Sequence, residues 1–366
     1  MSEKIKVFEA FSGIGSQHMA LKNININFEI IGTSEIDIDA IISYASIHYP
    51  NYTEIEYKSI DEMRFYLKSL NIGYDFKKNI SFLDKIKKDK LIQLYKAAIA
   101  MKNFGDISLC LGDSIPNHDL LTYSFPCQDI SSVGTQLSCA EGSNTRSSLL
   151  WKCKSIIESK RPKYLLLENV KNLIGKTHIK NLNLWLNFLQ YLGYSSKIYL
   201  LDSKNFNIPQ RRPRVFVVSI LDENFEFGNI TSKPLTKSVI DFIDTNINFE
   251  VYNPKKFGFN KSDLKINEGE LKFLDDRDWK FNGIMISDLC STQRAGRSGL
   301  KCIKKVNGEI YARRLSTLEC WRLMGFSDDD FFKVKKSNIT DTQILKQCGN
   351  SIVIPVLEEI FKMLFK

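Results

Sequence analysis

Several short stretches of this 366-residue chain set reactive side chains where an apolar run stops. In Ser124-Phe125-Pro126-Cys127-Gln128 the run ends at a proline, which has no amide hydrogen for a sheet ladder. A lone cysteine is most often core filler. One at the rim of a sheet can instead present a thiolate to a substrate. The stretch after it, 129–147, is small, polar and glycine-containing, the composition of a mobile lid. Leu167-Glu168-Asn169-Val170 puts a carboxylate at the end of another apolar run, as an acid–base group, a helix N-cap or half of a salt bridge. Gln210-Arg211-Arg212-Pro213-Arg214 gathers three guanidinium groups. These either hold a phosphate or carbonyl in fork geometry or simply face solvent.

A further stretch, Phe11-Ser12-Gly13-Ile14-Gly15, is a glycine turn of the kind that lets backbone approach a nucleotide-like ligand. Glu35 follows Gly15 by twenty residues, where a carboxylate can bind ribose hydroxyls. His18 stands where a dinucleotide fingerprint has its third glycine. A dinucleotide therefore remains an alternative, and an adenosyl cofactor without pyrophosphate is preferred.

The elements that must hold these groups alternate in type. Strands are predicted at Lys4–Phe11, Phe28–Ile36, Asp119–Phe125, Lys163–Glu168 and Arg214–Ile220, with helical patterns at His18–Ile24, 38–101 and 148–159. Alternation of this kind predicts an α/β fold with a doubly wound, mostly parallel sheet. Gly13, Glu35, Cys127 and Glu168 all fall at strand ends, where such sheets collect function. Residues 222–310 read as a loop-rich second domain. Helical pattern returns at 316–326 and 350–365, the latter apolar enough to pack on the first domain.

Composition narrows the setting. The formal charge is 51 − 42 = +9. Between Arg294 and Arg314 seven basic residues face one acid, Glu309, which suits a polyanion or a solvated face. Eight cysteines form no CxxC pair, so neither a zinc site nor a disulfide framework is expected, and no metal. No apolar run reaches membrane-spanning length and the start lacks a secretory layout, so a cytoplasmic protein is expected.

Taken in order, these pieces resemble the bacterial DNA (cytosine-5) methyltransferases of restriction–modification type, across nearly the whole chain. Phe8–Ser16 resembles their cofactor loop and Pro126-Cys127-Gln128 their nucleophile; Glu168-Asn169-Val170 and Gln210–Arg214 resemble the catalytic motifs; 313–326 and 347–356 resemble the last two. The resemblance implies a Rossmann-like methyltransferase sheet with a second, smaller target-recognition domain. It makes 1–221, completed by 341–366, catalytic, and 222–340 the target-recognition domain and hinge. It implies S-adenosylmethionine held by Phe11, Gly13, Gly15, Glu35, Ile36, Asp113, Ser114, Pro126, Leu149, Asn350 and Ser351, with Asp113 at the adenine amino group. Cys127, Glu168 and Arg212 become the catalytic residues, Arg212 holding the cytosine O2.

The partner so implied is double-stranded DNA, bound by a monomer, with room for a cognate restriction endonuclease encoded nearby. Alternatives are a tRNA cytosine-5 methyltransferase of the same fold and an inactive DNA-binding relative. The variable interval 220–313 favours DNA; Gln293, Arg294 and Arg297 are its candidate base readers and Lys301 and Lys304 its candidate phosphate contacts. Two departures stand out. Ser16 replaces a usual glycine, and Glu35 lies 78 residues before Asp113, so about 50–105 read as a helical insertion, a candidate extra DNA clamp.

Overall fold

The computed structural model describes residues 3–75, 78–126, 146–257, 262, 264–278, 283–295 and 300–366. Cys127, Cys139 and Arg297 lie outside the described residues. Backbone contacts divide the chain into two compact units: Met1–Leu201 with Pro213–Ile230 and Ile360–Lys366, and Asp202–Arg212 with Thr231–Glu359.

The first unit is built on six strands, β1 (Ile5–Ala10), β2 (Phe28–Ser34), β3 (Leu120–Tyr123), β4 (Tyr164–Val170), β5 (Ser195–Asp202) and β6 (Pro213–Ile220). Their order is β2-β1-β3-β4-β6-β5. The first four run parallel and β6 runs antiparallel to β4, which matches the mostly parallel sheet read from the sequence. Its strands are apolar on both sides because helices cover both faces. Leu121, Leu165, Leu167, Val215 and Val217 bury against α5 (Cys153–Lys160) and α6 (Ile179–Tyr191), with Trp185 of α6 fully buried among them. The Trp185 indole N–H donates to the Tyr123 hydroxyl at 3.2 Å, so the buried ring carries no unmet donor. β5 has no counterpart in the sequence reading. It is an edge strand in which only Tyr199 is buried, so its alternation is too faint to read.

Ahead of these stand α1 (Ser16–Asn23), α2 (Ile38–His48), α3 (Ile60–Ser69) and α4 (Lys88–Ala100). Asp37 caps α2 through the amides of Asp39 and Ala40, and Ser59 with Glu62 makes a capping box at α3. The expected insertion at 50–105 is integrated in this unit. Leu91, Leu94, Ala97 and Ala98 of α4 are buried, and Lys90 pairs with Asp39 at 2.6 Å. After α4, Thr33 and Asn103 form a parallel bridge at the end of β2.

Within the interval read as loop-rich, 222–249 carries no strand or α-helix, but a sheet follows that the sequence reading did not place. Strands β7 (Glu250–Val251), β8 (Leu271–Asp278), β9 (Gly283–Ser287), β10 (Lys301–Val306) and β11 (Glu309–Arg314) form an antiparallel sheet in the order β7-β11-β10-β8-β9. Asn307 and Gly308 close the β10–β11 hairpin with φ of 53° and 75°, the left-handed pair that a two-residue turn requires. Tyr252, Phe257, Leu274, Ile303, Ile310 and Ala312 make its small core. Then come α7 (Thr317–Arg322), α8 (Asp328–Lys336), α9 (Asp341–Asn350) and α10 (Ile354–Phe365). The unit boundaries differ from those read in the sequence. Residues 341–359 cluster with the second unit, and only the second half of α10, from Ile360, joins the first, with Phe365 edge-on to Tyr164 at 5.1 Å.

A buried ion pair ties the sheet of this unit to its helices. Arg313 at the end of β11 meets Glu319 of α7 at 2.6 Å, and both are buried. Glu319 also accepts the amides of Asp244 and Ser316, each at 2.7 Å, while Arg313 donates to the Asp244 carbonyl at 2.8 Å. Removing one partner strands the other charge. Glu319→Ala is therefore expected to cost about 3–5 kcal/mol in urea unfolding. Lys68→Ala, at the exposed Lys68–Asp84 pair, should cost under about 1 kcal/mol. Equal losses would show that the buried pair does not anchor the sheet.

Candidate active site

The glycine turn after β1 is shaped by left-handed backbone. Phe11, Gly13 and Gly15 have φ of 56°, 55° and 80°. For Phe11 this is a strained conformation, of order 1–3 kcal/mol, which persists only where the surroundings impose it. One of those surroundings is Glu35, just beyond β2. Its carboxylate accepts the Gly13 amide at 2.9 Å on one oxygen and the Ile36 and Asp37 amides at 2.8 and 2.9 Å on the other. Burial raises the Glu35 carboxyl above its ordinary value, and the Asp37 charge adds to this, against those three amides.

The two glycines do different work. A Cβ on Gly15 would overlap the His48 and Tyr44 rings, whereas a Cβ on Gly13 would point into open space. Beneath Gly15 lies a buried polar chain. Tyr44 donates to Glu9 at 2.6 Å, so its oxygen accepts from the His18 Nδ1–H at 3.0 Å. His48 Nε2–H donates to the Ile14 carbonyl at 3.0 Å and stacks on His18 with ring centres 4.0 Å apart. Burial holds His18 well below its ordinary value, helped by His48 and Lys22, so this ring is neutral. His18, read only as a missing glycine, is therefore part of the support under the turn.

Asp113 and Ser114 do not join this cluster. Both are exposed; Asp113 accepts from Ser159 of α5 at 2.9 Å and Ser114 donates to the Leu111 carbonyl at 2.8 Å. The segment that reaches Glu35 is Asn103–Asp106. Asn103 Oδ1 accepts the Glu35 and Gly105 amides at 3.1 and 3.0 Å, and its Nδ2 donates to the Glu35 carbonyl at 2.9 Å. Ser34 donates to the Gly105 carbonyl at 2.6 Å. Gly105 has φ of 71°, and a Cβ there would overlap the Leu70 carbonyl. Gly105-Asp106 is an earlier Gly-Asp pair seven residues before Gly112-Asp113, and the Asp106 carboxylate accepts the Ser108 amide at 2.9 Å and the Asn71 side-chain amide at 3.3 Å.

At the end of β4, Glu168 is nearly buried and meets Arg214 of β6, Nε to Oε1, at 3.3 Å. The antiparallel pairing sets Val170 opposite Arg214 and so lays the arginine along the carboxylate strand. Asn169, also buried, donates to the Phe125 carbonyl at 3.0 Å, two residues before Cys127. Pro126 and Leu149, flanking the undescribed stretch, are partly buried. Arg214, which the sequence reading left without a role, is thus the arginine at Glu168. Arg212 belongs to the second unit, where its guanidinium donates to the carbonyls of Gln293, Gly349 and Ser351 at 2.7, 2.8 and 2.6 Å. Asn350, exposed, and Ser351, buried, belong to that unit as well.

The basic cluster is less available than its formal charge suggests. Lys301 is 5% exposed and lies over the Phe257 ring with its Nζ donating to the Phe257 carbonyl at 3.4 Å. Gln293 is 3% exposed. Both of these candidate DNA contacts are thus buried in this structure. Lys304 sits half-buried over the Phe249 ring at 4.4 Å, and Arg294 is half-buried.

A mostly parallel sheet with a glycine turn after its first strand and a carboxylate after its second is the α/β class in which nucleoside cofactors bind beyond strand ends. Within that class the chain belongs to the C-5 cytosine-specific DNA methylase family, whose model matches residues 59–366, and it is a methyltransferase. It is 44% identical over 366 residues to the type II methyltransferase M2.ScrFI of Lactococcus lactis subsp. cremoris, covering 99% of each chain. To the orphan methyltransferase M.SssI of Spiroplasma monobiae it is 35% identical over 379 residues, covering 98% of this chain and 97% of that one. The crystal structure of S. pombe Dnmt2 methyltransferase matches with a TM-score of 0.62 at 18% identity, over 99% of this chain and 98% of that one, a likeness of fold. Among the described residues no helix is long and apolar enough to cross a membrane.

Burial pushes the Glu9 carboxyl up from 4.5 to about 7, against the hydrogen bonds from Tyr44 and the His18 amide. A folded-state value above the unfolded one means stability complete below about pH 4.5 and lost as pH rises toward 7. Glu9→Gln is uncharged throughout. Measured by urea unfolding from pH 4 to 8, the difference between variant and wild type should move in the variant's favour by roughly 3 kcal/mol. A difference independent of pH would show that Glu9 does not titrate in this range.

Proposed function

We propose that this enzyme transfers a methyl group from S-adenosylmethionine to carbon 5 of a cytosine flipped out of duplex DNA, through a covalent adduct with Cys127. The carrying observation is the corner at the end of β4. Glu168 faces Arg214 there, while Asn169 holds the chain two residues before Cys127. The other cysteines support this by contrast. Cys110, Cys153, Cys290, Cys302, Cys320 and Cys348 are all buried, and burial raises each thiol above its ordinary value. None of these six suits a thiolate nucleophile. Cys139 follows no strand-ending proline.

The residues of the turn fit the cofactor. Gly13 opens onto free space, and the buried Ser12 hydroxyl has no hydrogen-bond partner among the described residues. Phe11, Gly13, Gly15, Glu35 and Ile36 would hold its adenosyl part, with Asp106 rather than Asp113 nearest the base. When bound, the cofactor supplies an electrophilic methyl group.

The chain's own residues must make carbon 5 reactive and then release it. Addition of the Cys127 thiolate to carbon 6 forms a C–S bond and moves an electron pair to carbon 5. Glu168, hydrogen-bonded at ring N3, offsets the charge that develops. Arg214, placed against Glu168, takes the position beside the base that the sequence reading gave to Arg212. Once carbon 5 carries the methyl group it loses its proton; that electron pair reforms the double bond as the C–S bond breaks. Because carbon 6 is stacked inside a duplex, the base must leave it, at a cost of a few kcal/mol. Target choice is assigned to the second unit, and a DNA substrate sets the enzyme at the bacterial nucleoid.

Cys127→Ser should abolish turnover and covalent trapping on duplex DNA containing 5-fluorocytosine, while calorimetry shows S-adenosylmethionine binding unchanged. A trapped adduct on the serine variant would exclude Cys127. Glu35→Ala should weaken S-adenosylmethionine binding about tenfold, or ~1.4 kcal/mol. NAD should not bind the wild type at all, and comparable affinity for NAD would count against this cofactor.

A further inference from the structure

The first half of the arginine motif converges on one short segment of its own unit. Gln210 and Arg211 pair in parallel with Cys290 and Ser291, and the Cys290 amide donates to the Pro209 carbonyl at 2.8 Å. Gln210 is fully buried. Its Oε1 accepts the Gln293 amide at 3.0 Å, and its Nε2 donates to the Leu323 carbonyl at 3.0 Å. Thr292 Oγ1 donates to the Arg211 carbonyl at 2.5 Å. Arg212 completes the arrangement with its three carbonyls, one of them that of Gln293.

The far side of the segment is fixed too. Gly349 of α9 presents bare backbone, and a Cβ there would overlap the Ala295 amide and the Arg294 carbonyl carbon. Residues 290–295 are therefore held both by side-chain hydrogen bonds and by close backbone approach. Burying a guanidinium against neutral carbonyls is a costly way to secure a loop. A planar fork does, however, set three backbone points from two rigidly held nitrogens, whereas the donors of an ammonium all leave one nitrogen on a flexible stem.

We propose that Gln210 and Arg212 are positioning residues for target choice: they set the backbone of Cys290–Ala295 so that Arg294, half-exposed on that segment, meets the DNA in one register. This rests on the reading that the second unit selects the site. It also separates the two arginines by task, with Arg214 at the reacting base and Arg212 acting through the segment it holds. Small displacements of a contact residue weaken recognition strongly, because hydrogen bonds to base edges depend on alignment.

Two variants test this in the full-length enzyme. Arg212→Lys leaves one ammonium for three carbonyls; Thr292→Val removes a single hydrogen bond and keeps the fold if Arg212→Lys does not. For Arg212→Lys, KM for the cognate duplex should rise about tenfold, or ~1.4 kcal/mol. Preference over a duplex with one altered base pair should fall, with kcat within about threefold and S-adenosylmethionine affinity unchanged. Thr292→Val should move the same quantities in the same direction by less. A fall in kcat with KM and site preference intact would overturn the assignment, as would wild-type values in both variants. A wild type that methylates no duplex DNA would overturn the functional reading together with the inference.

Discussion

The first unit's site depends on a carboxylate that satisfies three backbone amides. Without Glu35, the Gly13 amide in a left-handed turn would lose its partner, and so would the first amides leading into α2. Unmet amides near the core are expensive, so the carboxylate in effect joins the end of β1 to the end of β2. Asn103 extends the same logic, since its amide group bonds Glu35 on both backbone atoms and brings the end of the long α3–α4 excursion to the site. Beneath the turn, Glu9, Tyr44, His18 and His48 form a second polar layer that leaves Gly15 no room for a side chain.

The pentapeptide Gln210–Arg214 shows how one motif can serve two compact units. The boundary falls between Arg212 and Pro213. On one side the arginine lies along a strand against Glu168; on the other it is wrapped in carbonyls. Alternation along an extended chain explains this. Residues two apart share a face of a strand only while the strand continues, and Arg212 lies in the break between the two-residue strand Gln210–Arg211 and β6. Neighbouring arginines of one motif thereby have different partners.

Formal charge proved a poor guide to available charge. The basic residues from Lys301 to Arg314 lie on two strands of a small sheet, where Lys301 and Arg313 are buried and Lys304 and Lys305 half-buried. Lys301 and Arg313 are drawn to the Phe257 ring and to Glu319, and Lys304 to the Phe249 ring. Cation–π contact and a buried ion pair hold these cations in the structure. Arg314, in contrast, remains exposed.

Much of the catalytic face was legible in the sequence, because strand-ending motifs carry local signals. The glycine turn, Glu35 at the end of β2, Glu168 at the end of β4 and the alternating α/β pattern each follow from a few adjacent residues. The antiparallel sheet of the second unit was not read from the sequence, since its strands mix polar and apolar residues around a small core. Where Arg212, Arg214, Asp106 and Asp113 lie was decided by tertiary structure. Each pair offers identical chemistry within a short span; strand pairing lays Arg214 against Glu168, and the path of 102–106 back to β2 brings Asn103, beside Gly105-Asp106, to Glu35. Sequence spacing determines which residues can stand at a strand end; long-range hydrogen bonds decide which of them do.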